Sequence, residues 1–156
     1  MALPADINPR IVDALYCDAL VLADELRTRF SGDFAIGEDC AARVALSCEG
    51  LRATTRTMHC LAWLLNHRAF FAGEISEFQL RRHGRLPARS ASGDLELVPE
   101  DAARLVRMSE RLFTRIERLE AAWRRGNAVG EGPTAIERLR ERLAGAPVET
   151  PHATVA

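Results

Sequence analysis

Residues 38–71 read EDCAARVALSCEGLRATTRTMHCLAWLLNHRAFF, and this stretch decides the fold. Val44, Cys48, Leu51, Thr55, Met58, Ala62, Leu65 and Ala69 recur at alternating steps of four and three. Side chains so spaced fall on one stripe of a helix, a heptad seam able to bury against neighbouring helices. No proline interrupts the run, and Gly50 is its one glycine. The spacing predicts one long helix over 38–71. Cys48, Ala62 and Ala69 are small enough to let other backbones approach closely. From Met58 onward Leu61, Trp63, Leu64, Phe70 and Phe71 make the helix apolar off the seam as well. A helix apolar all round is expected to be covered all round. Two covering helices leave one side open, which a second subunit would fill. The run is too short and too polar at Asn66, His67 and Arg68 to span a membrane.

Working outward, Asn8-Pro9 is a helix start, with a capping asparagine and a proline in the first turn. Ile11, Leu15, Leu22 and Leu26 give the first helix its stripe, Asp18 and Glu25 flank it with acid, and Ser31-Gly32 ends it near Phe30. The connector to the long helix is short, so the two run antiparallel. Beyond Gly73, Ser76-Glu77-Phe78-Gln79 is a capping box that predicts a short helix over 77–83. Residues 84–94, GRLPARSASGD, have the composition of a mobile loop. Pro99-Glu100-Asp101 opens a third major helix with Leu105, Leu112, Ile116, Leu119 and Trp123 as its core stripe and Gly126 as its stop. The expected architecture is all-α: an up-down-up three-helix bundle over 8–126, paired as a homodimer. Flexible residues 1–7 precede it, and a flexible tail over 127–156 follows, with a short helix over 135–144 expected from Thr134-Ala135-Ile136-Glu137 and the stripe Ile136, Leu139, Leu143.

The chain has 156 residues, enough for one domain, and a net charge of −1, which gives no global attraction to nucleic acid or an anionic membrane. All 21 basic residues are arginine. The opening MALPADINPR lacks the basic start and apolar run of a signal peptide, so the expectation is a cytoplasmic protein. Four cysteines, Cys17, Cys40, Cys48 and Cys60, form no C-x-x-C; those on helices read as small reduced core residues.

No phosphate-binding glycine loop, nucleophile elbow or zinc-protease motif occurs, and no cofactor is expected. His59 and Cys60 are adjacent and point about 100° apart on a helix, and His67 is two turns away from His59, so a shared metal is disfavoured. Two charged features stand out. Arg52, Arg56, His59 and Trp63 share one flank of the long helix, with Phe70 continuing the line. Arginine and tryptophan side by side suit a partner-binding hot spot, although Trp63 packed in the bundle with the arginines snorkelling along it is the alternative. Arg104, Arg107, Arg111, Arg115 and Arg118 line one flank of the third major helix, with Glu110, Glu117 and Glu120 on the other. The arginines either pair with the acids of the first helix or remain for a partner, and a helical nucleic-acid-binding regulator using this stripe is the alternative function.

The segment 51–76, LRATTRTMHCLAWLLNHRAFFAGEIS, with ALYCDALVLADELRTRF before it and LVRMSERLFTRIERLEAAW after it, resembles the alphaproteobacterial DUF1465 family. The resemblance covers roughly Leu15 to Trp123 and is strongest in T-T-R-x-M and A-W-L-L-N-H-R-A. It implies a non-enzymatic adaptor for regulated proteolysis in the cell cycle: a dimeric helical bundle that docks onto ClpXP primed by CpdR. Such an adaptor recruits PopA, which binds cyclic di-GMP, helps deliver clients such as CtrA, and is recruited to a cell pole. Arg52, Arg56, His59 and Trp63 stand as partner-binding candidates on physical grounds alone, since no contact residue transfers from the family.

Overall fold

The structure, a computed structural model, describes residues 8–31, 39–89, 93 and 95–130. It is all-helical, with no strand among the described residues: α1 Pro9–Phe30, α2 Cys40–Phe71, α3 Glu77–His83 and α4 Glu100–Gly130. The short helix expected over 135–144 and residues 1–7 lie outside the described residues.

Local chemistry sets the ends of the helices. The Asn8 side chain accepts from the Arg10 N–H (2.9 Å) and opens α1, and the Ser31 N–H closes it onto the Arg27 carbonyl. Asp39 caps α2 by accepting from the Ala41 N–H (2.9 Å). At the far end Gly73 adopts φ +77°, the Glu74 N–H returns to Ala69 O (2.9 Å) and the Gly73 N–H to Phe70 O (3.0 Å). This is a Schellman termination, which needs a left-handed residue that glycine supplies without strain. The capping box of α3 forms as read: Ser76 Oγ accepts from the Gln79 N–H and Gln79 Oε1 from the Ser76 N–H. Helix α4 does not stop at Gly126 but runs to Gly130. A single interior glycine costs about 1 kcal/mol against alanine, which lengthens no turn and breaks no backbone hydrogen bond.

Helices α1, α2 and α4 share one core, in which Val12, Leu15, Ala19, Leu22 and Leu26 of α1 meet Ala53, Cys60, Trp63 and Leu64 of α2 and Val106, Phe113 and Ile116 of α4. A smaller cluster of Leu46, Val98, Ala102 and Ala103 packs the start of α4 on the start of α2. The inward face of α2 is not the expected seam. It is Leu46, Gly50, Ala53, Thr57, Cys60, Leu64 and His67, a second set at steps of four and three displaced by two residues from the first. Two residues are about 200° on a helix, so the two seams lie on opposite faces. Polar Glu49, Arg56, Thr57 and His67 are buried on or beside the inner one and disguise it in the sequence.

Gly50 sits where the end of α1 crosses α2, and a Cβ there would lie 2.4 Å from Cδ1 of Phe30. Gly50→Ala is therefore expected to destabilise the protein by on the order of 1 kcal/mol, because overpacking outweighs the gain in helix propensity. Chemical denaturation should show this, and Gly50→Ala combined with Phe30→Leu should recover part of the loss.

Candidate functional site

The expected core seam of α2 is its solvent face. Val44, Leu51, Met58 and Leu65 are 57, 71, 51 and 48% exposed. Cys48, Thr55 and Ala62 are exposed between them, and Ala69 is half-buried. Large and small residues alternate along the stripe, which runs about 30 Å from Val44 to Leu65 at 1.5 Å per residue. Beside it, Leu51, Thr54 and Met58 of α2 and Ala23, Leu26 and Phe30 of α1 line an open groove of about 630 Å³. The seam is regular and apolar but unpartnered within the described chain.

The four residues singled out on α2 divide between interior and surface. Arg56 (4% exposed) and Trp63 (1%) are in the core, whereas Arg52 and His59 are exposed. They therefore form no single partner-facing surface, because Arg56 and Trp63 extend the inward seam. Arg56 Nη1 donates to Ser109 Oγ of α4 (2.6 Å), and its Nη2 lies 3.9 Å from Glu110 Oε1. Ser109 Oγ in turn donates to the Val106 carbonyl (2.7 Å), so this buried arginine clamps α2 to α4 through a hydroxyl relay. Trp63 stacks on His67 (centroids 3.6 Å apart, planes at 25°), and Trp123 of α4 meets His67 edge-on at 5.7 Å. Arg52 donates to buried Glu49, whose Oε1 also accepts from the Gly93 N–H (2.8 Å).

That last bond belongs to a set holding the stretch expected to be mobile. Within 84–94 the Leu86 N–H donates to Glu120 (3.3 Å), and Arg89 donates to Thr114 (2.7 Å) and Glu117 (2.9 Å) of α4. The described part of this loop is thus tied to α4 and α2; residues 90–92 and 94 lie outside the described residues. The acidic flank of α4 receives the loop and the buried arginine of α2. Its basic flank is used differently. Arg107 pairs with Glu100, but among the described residues Arg104, Arg111, Arg115 and Arg118 make no ion pair. The expected pairing with the acids of α1 is not made: Asp18 lines a groove with Arg111 and Arg115 without bonding either. The ion pair between α1 and α4 has the opposite sense, Arg29 to Asp101, and this hydrogen bond holds the Asp101 carboxyl below the usual range.

Of the cysteines only Cys60 is a core residue; Cys17, Cys40 and Cys48 are exposed. Burial pushes the Cys60 thiol up to about 12, so it stays protonated and a poor nucleophile. No cluster of three metal-ligating side chains occurs among the described residues, and no described helix is long and apolar enough to cross a membrane. Sequence reasoning missed the buried clamp of Arg56, because it depends on which seam of α2 turns inward, whereas arginines of α4 remaining for a partner are one of the two readings the sequence offers.

One family matches the chain: DUF1465, described as a protein of unknown function, over residues 4–146. No curated protein and no solved structure matches.

His67 is 2% exposed and donates Nδ1–H to the Trp63 carbonyl (2.9 Å). Burial lowers its pKa from 6.5 to about 4, so the folded ring is neutral where the unfolded one takes a proton. The unfolded state binds more protons between those values. Its contribution is fully present above about pH 6.5 and is lost as pH falls toward 4, on the order of 3 kcal/mol in all. Denaturant titrations at pH 7 and 4.5 should show that fall, and His67→Gln should remove most of it while lowering stability at pH 7.

Proposed function

The chain belongs to the DUF1465 family, and from that membership we propose that it is a non-enzymatic homodimeric adaptor for the ClpXP protease. In this reading α1, α2 and α4 form an up-down-up three-helix bundle of the kind the adaptor RcdA uses. It works in the cytoplasm, with recruitment to a cell pole, and helps CpdR-primed ClpXP receive cell-cycle regulators such as CtrA, acting with PopA. An adaptor acts by raising the effective concentration of client at protease, which requires surfaces for other chains rather than a reaction centre.

The observation that carries the reading is the exposed seam of α2. Its large residues Val44, Leu51, Met58 and Leu65 occupy one set of heptad positions and its small ones Cys48, Thr55, Ala62 and Ala69 the other. Antiparallel pairing of α2 with a second copy sets one class against the other in every layer. Val44 meets Ala69, Cys48 meets Leu65, Leu51 meets Ala62 and Thr55 meets Met58, each with its counterpart on the other subunit. Parallel pairing would set small on small and leave gaps, so size complementarity favours a two-fold axis across the middle of α2.

Size-exclusion chromatography with light scattering should find a dimer at micromolar concentration. Ala62→Leu should weaken it by opposing two leucines, and Leu51→Ala with Ala62→Leu should restore it by exchanging the two within one layer. A double variant no better than the single one would reject the antiparallel register.

The adaptor role is tested by reconstituted ClpXP degradation of CtrA with CpdR, PopA and cyclic di-GMP. Addition of this protein should accelerate degradation without its own consumption. No acceleration with active partners would remove the adaptor reading and leave the dimer to stand or fall separately.

A further inference from the structure

The basic flank of α4 lies along a slot that α1 completes. Leu15, Asp18, Val21 and Leu22 of α1 face Met108, Arg111, Leu112 and Arg115 of α4 around about 370 Å³. The floor is apolar and buried (Leu15, Leu22 and Leu112), whereas Val21 is 61% exposed at the rim and Met108 half-buried. Arg111 and Arg115 also line the neighbouring groove on the other side of α4, with Arg107 and Arg118. They stand on a ridge between two grooves, and together with Arg104 and Arg118 they make no ion pair among the described residues. The four arginines span roughly 21 Å of helix at 1.5 Å per residue.

We infer that this ridge and slot bind an acidic amphipathic helical segment of a partner protein. Apolar side chains three and four residues apart on such a helix would enter the slot between α1 and α4. Carboxylates on its flank would meet Arg104, Arg111, Arg115 and Arg118, whose planar guanidinium groups offer two parallel donors to each. A nucleic-acid backbone fits less well, since it brings nothing apolar for the floor and would meet Asp18 inside the slot. The near-zero net charge of the chain adds no long-range attraction for phosphate. The inference goes beyond the adaptor reading, because it names a surface on α1 and α4 and a partner chemistry that protease delivery does not by itself require.

The test uses the full chain and a fluorescein-labelled synthetic peptide of about four helical turns, with leucine at helical spacing and glutamate on both flanks. Controls are the same peptide with lysine for glutamate and a random DNA duplex. Anisotropy should show saturable binding of the acidic peptide and none of the basic one. Arg111→Glu with Arg115→Glu should weaken it at least tenfold, and Val21→Asp, which leaves the arginines in place, should weaken it too. All three positions are exposed, so the helical melts should match the parent. Equal binding of both peptides, or a double variant that binds as the parent does, would overturn the inference. Duplex that binds as tightly, loses affinity steeply with salt and is sensitive to the double variant would reassign the face to nucleic acid. Loss of the dimer in the double variant without peptide would reassign it to a second copy. None of these readings uses the protease, so the outcome is independent of the degradation assay.

Discussion

Helix α2 carries two heptad seams on opposite faces, and α1 and α4 can cover one of them. Every other feature follows from which one turns inward. The buried seam holds Leu46, Gly50, Ala53, Thr57, Cys60, Leu64 and His67, with Glu49, Arg56 and Trp63 beside it. The largest side chain of the helix therefore lies inside, packed in the same core as Phe113 and Ile116 of α4. Full burial of one such apolar side chain is worth about 1.5–3 kcal/mol. Turning the helix over would bury Val44, Leu51, Met58 and Leu65 instead, but it would expose Trp63, Leu64 and Leu46 and part Arg56 from Ser109 and Glu49 from the Gly93 amide.

Those polar groups specify as well as stabilise. Thr57 donates back to the Ala53 carbonyl and His67 to the Trp63 carbonyl, so each is satisfied within α2 and adds no demand on its neighbours. Arg56 is different, because its partners Ser109 and Glu110 are on α4. A buried guanidinium without them would cost several kcal/mol, so the pairing penalises sliding or rotating α4 against α2. Glu49 plays the same part for the loop, with Arg52 and the Gly93 amide on one oxygen. Its other oxygen is buried without a hydrogen-bond partner, a cost the apolar packing around it must offset.

How far the sequence discloses this arrangement depends on the kind of signal. Helix ends are local, and Asn8, the Ser76 box and the glycine after α2 mark them directly. The inward face of α2 is not local. Two seams of equal regularity run through residues 44–69, and the buried one holds glycine, threonine and histidine, with glutamate and arginine beside it, where leucine would mark a core. Periodicity therefore favours the more uniformly apolar stripe, which is the solvent face. With that face assigned inward, Arg56 and Trp63 read either as a partner-facing flank or as Trp63 packed under snorkelling arginines. The structure bears out the packed alternative for Trp63 while burying Arg56 as well. The acids of α1 read as partners for α4. In the structure Asp18 shares a groove with Arg111 and Arg115 but bonds neither. The 84–94 loop is a different case: its composition is that of a mobile segment, and the contacts its described part makes are to side chains of α2 and α4 distant in sequence.

The two unpartnered surfaces are the consequence of that one choice. Covering the inner seam places α1 and α4 on a single side of α2, so among the described residues the outer seam is left bare with its large and small residues in strict alternation. Facing inward against α2 and outward against the loop, α4 uses Glu110, Glu117 and Glu120, and among the described residues Arg104, Arg111, Arg115 and Arg118 are left without an acid. One surface is apolar with large and small residues in alternation; the other is apolar at its base and positively charged along its ridge. A protein that presents two such chemically distinct faces on rigid helices can hold a copy of itself on one and an unlike chain on the other without either competing for the same residues. In the proposed reading that separation, a symmetric contact on α2 and an electrostatic one on α1 and α4, would let a helical domain of this size join two partners at once.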